Sequence, residues 1–168
     1  MTLLTKMIDL NYVIIVLDGD DWFSRKDVLQ ILDKAYEETE CLMTYGSYLE
    51  WPKKERGKFS KQLPDNVVKH KLFRQSQWMT SHLRTFKFKL WNKINREDIT
   101  DENGDVYRMA GDLPVIFPML EMAEERSHFI EDILHVYNRS NPLNEDKINH
   151  ELQLSIEAEG LSPVTPRA

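Results

Sequence analysis

The chain has 168 residues, 41% hydrophobic and 30% charged, with a net charge of −6; this describes one globular domain with a moderate core, not a disordered chain. The acidic balance leaves no basic face for a nucleic-acid groove, so no nucleic-acid partner is expected. A single cysteine, Cys41, rules out an internal disulfide and suits a reducing, cytoplasmic setting, and no stretch approaches the ~18 apolar residues of a membrane span.

The run Tyr12-Val13-Ile14-Ile15-Val16-Leu17 is rich in β-branched residues and predicts a buried strand over residues 11–17. It ends in Asp18-Gly19-Asp20-Asp21. Carboxylates at the C-terminal edge of a sheet stand where open α/β sheets bind ligands. Grouped carboxylates repel one another unless a cation neutralises them, so the cluster points to a hard divalent ion, Mn²⁺ or Mg²⁺. Such an ion commonly also touches substrate phosphates.

Ser24 reads as a helix N-cap with Asp27 in the capping-box position, and a helix is predicted over 25–40 with Val28, Leu32 and Ala35 on one face. Residues 41–49, with Cys41 as a small strand residue, read as a second strand. Strand, helix, strand favours a parallel crossover. Trp51-Pro52 ends that strand, and residues 53–66 read as a basic, glycine-containing, solvated loop. A short helical stretch is predicted over 67–74. Leu83 to Phe88 alternates as a strand does, and Asp101 to Asp105 reads as a turn. Asp112 to Ala123 predicts a helix, with Pro114 in its first turn and Pro118 inside it. Phe129 to Tyr137 reads as a strand and 144–157 as a short helix, and the tail from Gly160 reads as disordered. Trp22 and Trp91 are expected to be packing residues; Trp78 reads as core or as a stacking surface. His70, His128, His135 and His150 lack metal-ligand spacing and read as structural or surface residues.

Several segments in this order carry a resemblance. Leu17-Asp18-Gly19-Asp20-Asp21-Trp22 resembles the metal-binding DxD region of family-2 glycosyltransferases of the GT-A fold. Met43-Thr44-Tyr45-Gly46-Ser47-Tyr48 is similar to the strand after the crossover helix, and Ser81-His82-Leu83-Arg84-Thr85-Phe86 to the strand bordering the acceptor side. Met109-Ala110-Gly111-Asp112-Leu113-Pro114, with Pro118 to Ala123 following, resembles the helix start that presents the catalytic base. Val136-Tyr137-Asn138-Arg139-Ser140-Asn141-Pro142 resembles the closing strand.

The resemblance implies a partial GT-A, Rossmann-like α/β fold with a mixed sheet flanked by helices over 1–147, and a terminal helix and tail over 148–168. It also implies inverting transfer of a sugar from a nucleotide-sugar donor, most often UDP-linked, to a glycan or other hydroxyl acceptor. In that scheme Asp18 faces the nucleoside or ribose, and Asp20 and Asp21 hold Mn²⁺ or Mg²⁺ against the diphosphate. Asp112 is the base that deprotonates the acceptor; His82 and Arg84 are expected to contact the acceptor or the diphosphate, or else to pair with surface carboxylates, and Trp78 to stack on the acceptor or lie in the core. Gly111 stands where the family usually has glutamate before the base. The QxxRW signature of processive synthases is missing, which implies single-sugar transfer. Only 17 residues precede Asp18, so the chain is expected to be the C-terminal portion of such an enzyme. A partner chain would then supply the nucleotide-binding half, and the sheet is expected to expose an apolar edge. Other readings stay open. One is a haloacid-dehalogenase-type phosphatase with Asp18 as nucleophile and Asp20 as acid/base. Another is a non-catalytic remnant or subunit that pairs through Tyr12–Leu17.

Overall fold

The computed structural model describes residues 9–100, 103–105, 112–144 and 147. The sequence expectations for the 101–105 turn fall partly outside these residues, and those for the 144–157 helix and the tail fall almost wholly outside them. The strands are β1 (Val13–Val16), β2 (Trp22–Phe23), β3 (Met43–Trp51), β4 (Glu55–Arg56), β5 (Arg84–Lys87) and β6 (Ser127–Asn138). The helices are α1 (Val28–Thr39), α2 (Asp65–Lys69), α3 (Phe88–Trp91) and α4 (Leu113–Ala123), with short 3₁₀ turns at 73–75, 96–98 and 124–126. The protein is therefore a mixed α/β domain.

The sheet order is β1-β5-β3-β6-β2, with β4 beside β3. β5 is antiparallel to both β1 and β3, so β1 and β3 run in the same direction but are not neighbours. The parallel partner of β3 is β6, and β2 closes the order antiparallel to β6. The β3–β6 register shifts on either side of Ser47. There the backbones pass so closely that a Cβ on Gly46 would lie 3.0 Å from the Ile130 carbonyl oxygen.

Each face of the sheet is covered by helix. Along α1 the repeat of Val28, Leu32 and Tyr36 forms one stripe. Its Val28 and Leu32 pack with Leu83, Ile130 and Leu134. Tyr36 reaches into the sheet, its hydroxyl 2.9 Å from that of Thr85, which in turn is 2.7 Å from that of Thr44. The other face carries the larger core: Met43, Tyr45, Phe86 and Leu90 against Ile116, Phe117, Met119 and Leu120 of α4. α4 is apolar almost all round and accordingly buried. Pro114 lies in its first turn, and Pro118 sits inside it. Among the described residues no helix is long and apolar enough to cross a membrane.

Several local expectations change. α1 starts at Val28, three residues later than the pattern suggested, with Asp27 at the N-cap and no side-chain cap bond. Ser24 instead donates its hydroxyl to the Ile133 carbonyl, and its N–H bonds Leu134 O at 3.1 Å, so a tertiary contact displaces the local cap. Cys41 is buried just before β3. The 53–66 stretch is not wholly loop: β4 folds back on β3, and Arg56 donates to Ser47 Oγ at 2.5 Å. β5 does not split into a wet and a dry face, because Arg84, Thr85 and Phe86 are all buried between the two helical layers. Trp22 and Trp91 are not core residues; they are 40% and 39% exposed.

Gly57 follows β4, and a Cβ there would fall 2.0 Å from the ring of the buried Tyr48. Tyr48 stands edge-on to His82 and to Tyr137, with ring centroids 5.7 and 6.1 Å away, so its ring is hemmed in on those sides. Gly57→Ala should therefore cost about 1–3 kcal/mol by overpacking, read as a lower urea midpoint at unchanged m-value.

Candidate functional site: a buried acid, histidine and arginine cluster at one sheet edge

Strand direction brings the site together. β1, β3 and β6 all end at one edge of the sheet, and antiparallel β5 begins there, with Arg84 opposite Val16. The acidic turn follows β1 at that edge and is closed by Asp21 N–H bonding Asp18 O at 3.1 Å.

The three carboxylates of the turn have different surroundings. Asp21 is turned inward, its side chain 1% exposed against a His135 that is 0% exposed. His135 Nε2 lies 2.8 Å from Asp21 Oδ2; facing an ionised carboxylate, that nitrogen is the donor. The other oxygen, Oδ1, accepts the Asn138 backbone N–H at 2.8 Å. Both oxygens of Asp21 thus hold the turn onto β6. Asp20 is exposed, with Oδ2 accepting from Asn141 Nδ2 at 2.6 Å. Asp18 stands at the mouth of the cluster. Loss of water around its carboxyl, then the charge of Asp21, pushes its pKa up; Arg84 and His135 oppose this and Asp112 adds to it.

Arg84 is buried and forms an ion pair with Asp112, whose side chain is 41% exposed. Asp112 occupies the N-cap position of α4, but its side chain makes no cap bond and turns to Arg84 instead. A plain capping residue would bond the free N–H groups of the first turn. The Arg84 Nη2 atom lies 3.4 Å from His82 Nδ1, while the buried Nε has no hydrogen-bond partner among the described residues. The His82 ring stacks on His135 (centroids 4.6 Å apart, planes 12°) and on Tyr137 (5.7 Å, 15°). Burial first, then Arg84 and His135, holds the His82 imidazole well below its ordinary range.

Of the residues read from the sequence, Asp18, Asp21, His82, Arg84 and Asp112 meet in this cluster. Asp20 lies beside it on the surface. Trp78 does not join it: the ring packs edge-on to Phe117 at 5.4 Å, against the core beneath α4. His135, read as structural or surface, proves to be the partner of Asp21. Its signal was a titratable residue within the apolar run Ile133-Leu134-His135-Val136, which requires a charged or hydrogen-bonding mate once buried.

Among the described residues no three His, Cys, Asp or Glu side chains converge as a metal cage. A divalent cation here could be met by only one or two carboxylates of the turn, with water or a ligand completing the shell. Asp20, which is exposed, and Asp18, whose pKa is raised by burial and by the charge of Asp21, fit that mode. Asp21, committed to His135 and Asn138, serves the turn itself.

No protein-family model and no curated protein matches the chain. Fold and site together define a mixed α/β domain with a carboxylate–histidine pair and an arginine–aspartate pair at one sheet edge.

Two predictions follow from the geometry. His135→Ala leaves the Asp21 carboxylate buried without its mate and should cost about 3 kcal/mol, whereas Asp20→Ala at the surface should change stability by less than about 1 kcal/mol; urea denaturation compares them. The raised Asp18 carboxyl means the native state holds that proton more tightly than the unfolded chain does. Ionisation therefore costs stability as pH rises above the ordinary value of 3.8. Asp18→Asn should raise Tm at pH 7 in metal-free buffer, and the gain should close as pH falls to that value.

Proposed function

We propose that the chain is the catalytic, acceptor-side portion of a metal-dependent inverting glycosyltransferase of the GT-A type. Its donor would be a nucleotide-sugar, UDP-linked by family resemblance, and its acceptor a hydroxyl of a glycan or similar molecule. The observation that carries this reading is Asp112: a half-exposed carboxylate at a helix start that caps nothing, is oriented by a buried arginine, and lies close enough to the DxD turn to act on the charge of Asp18.

In this reading the acceptor oxygen attacks the anomeric carbon as the bond from that carbon to the diphosphate breaks. The bonding pair leaves with the nucleoside diphosphate, and the acceptor proton passes to Asp112. Arg84 fixes one carboxylate oxygen of Asp112 and so sets the direction from which the proton is taken. Mn²⁺ or Mg²⁺, held by Asp20 with Asp18 beside it, would offset the charge on the leaving diphosphate. The stacked His82, His135 and Tyr137 rings wall the cluster from water on the sheet side, where a drier site strengthens these interactions.

A second reading is favoured by β1. It ends the strand order, and Leu10, Tyr12, Val13 and Leu17 are 48%, 60%, 37% and 40% exposed. An unpaired apolar edge of this kind accepts a strand from another polypeptide. In that reading the chain completes its donor pocket with a partner, or serves as a non-catalytic subunit.

Calorimetric titration with UDP, with and without Mn²⁺, separates the readings. Metal-dependent binding that is lost in Asp20→Ala and kept in Asp112→Asn is expected, with transfer by Asp112→Asn reduced about 10²- to 10⁴-fold. Absence of UDP binding in every condition, with association that grows with concentration, would instead favour the subunit.

A further inference from the structure

The site just described leaves unused the two tryptophans beside it. We propose that Trp22 and Trp51 form an acceptor subsite that receives the apolar face of a pyranose ring; the word acceptor rests on the glycosyltransferase reading above.

The two residues lie far apart in the chain and are assembled by β6. Trp22 is paired with Val136 on one side of that strand, and Trp51 with Asn138 on the other. Their ring centroids stand 6.0 Å apart with planes at 68°. Each is about two-fifths exposed among the described residues, Trp22 at 40% and Trp51 at 39%. Tryptophan has the largest apolar surface of any side chain, and two of them side by side offer a joined aromatic surface to solvent, unlike the exposed Trp91, which has no aromatic neighbour among the contacts of the described residues. The pair is also continuous with the acidic turn, since Trp22 directly follows Asp21.

The shape and chemistry of the patch point to a sugar. The rings form a corner rather than a slot: one lies beneath a ligand while the other meets its edge. A flat base stacks best on a parallel face, whereas a corner accommodates the thickness of a puckered ring. One face of a pyranose presents C–H groups of slight positive polarity, which match the negative face of an indole. Its hydroxyls remain at the rim. Lys54 Nζ lies over the Trp51 ring, 5.8 Å from its centre, and offers a donor to such hydroxyls, while the Asp20–Asn141 pair belongs to the adjoining acidic turn. A few polar groups around an aromatic floor is the usual composition of a small-ligand site.

Saturation-transfer NMR on the full chain tests this with the methyl glycosides of glucose, mannose and N-acetylglucosamine as probes, and with UDP plus Mn²⁺ as a separate arm. At least one glycoside should receive saturation on the protons of one ring face. That signal should fall at least about five-fold in Trp22→Ala and in Trp51→Ala. It should persist in Trp22→Phe, which keeps an aromatic face, while UDP binding stays unchanged. Unaltered Tm and far-UV circular dichroism in the variants exclude misfolding as the cause. No glycoside signal in the native chain, or one unchanged in both alanine variants, overturns the proposal. Loss of UDP binding in place of glycoside binding assigns the corner to the nucleobase and overturns it as well. A native chain that binds glycosides through these tryptophans but never binds UDP keeps the subsite and removes the glycosyltransferase reading.

Discussion

The buried contact between Asp21 and His135 is the constraint on which the site depends. β1 and β6 are not neighbours; β5 and β3 lie between them. The segment after β1 must therefore cross the ends of three strands, β5, β3 and β6, before Trp22 and Phe23 can pair on the far side of β6. Four strand spacings amount to about 19 Å. Six residue steps reach that distance only when nearly extended, yet residues 18–21 form a closed turn. A flat sheet would be too wide for this link, so the sheet has to curl. Asp21 supplies the anchor at the end of the crossing, with one oxygen on His135 and the other on the Asn138 N–H. The desolvation of two polar side chains is offset because each finds its mate in the same place.

This anchoring stretches the acidic turn across the sheet edge above His82 and Arg84. Arg84 is buried, and a guanidinium cannot shed its charge when desolvated, so a carboxylate must come to it. Asp112 does so from the start of α4, which is why it gives up capping its own helix. The His82 ring fills the space between the two pairs, stacked on His135 and Tyr137 and met edge-on by Tyr48. Tyr48 in turn has room only because residue 57 is glycine. One chain of contact thus runs from the β4 hairpin, through an aromatic stack, to the carboxylates. A change in the hairpin reaches the site by packing rather than by charge.

Much of the framework was legible in the sequence because it follows from periodicity. The strand at 11–17 shows as a β-branched apolar run, although it forms a half-exposed edge and not the buried strand expected; the face of α1 that carries Val28 and Leu32, the apolar run of α4 with proline in its first turn, and the strand near 129–137 follow from alternation or a 3.6-residue repeat. What failed was local signal overridden by distant partners. Ser24 has the chemistry of an N-cap but bonds to β6. Arg84 shares a strand face with Phe86 and Phe88, and alternation alone could not say that it is buried with Asp112 of the α4 start as its mate. The loop after Trp51 looked simply basic, although Leu49 and Glu50 pair with β4 to make a hairpin.

The sequence by itself determined that acidic residues follow an apolar strand, that an aspartate opens an apolar helix, and that the domain is α/β, but not that this strand would be a half-exposed edge rather than a buried one. Those properties are written in neighbouring residues and their spacing. It could not determine that Asp21 turns inward while Asp20 faces solvent, that His135 is the partner of Asp21, or that Trp22 meets Trp51. Adjacent carboxylates look alike in a string of letters. Their roles separate only when strand order decides which of them meets a partner more than a hundred residues away and which is left to water.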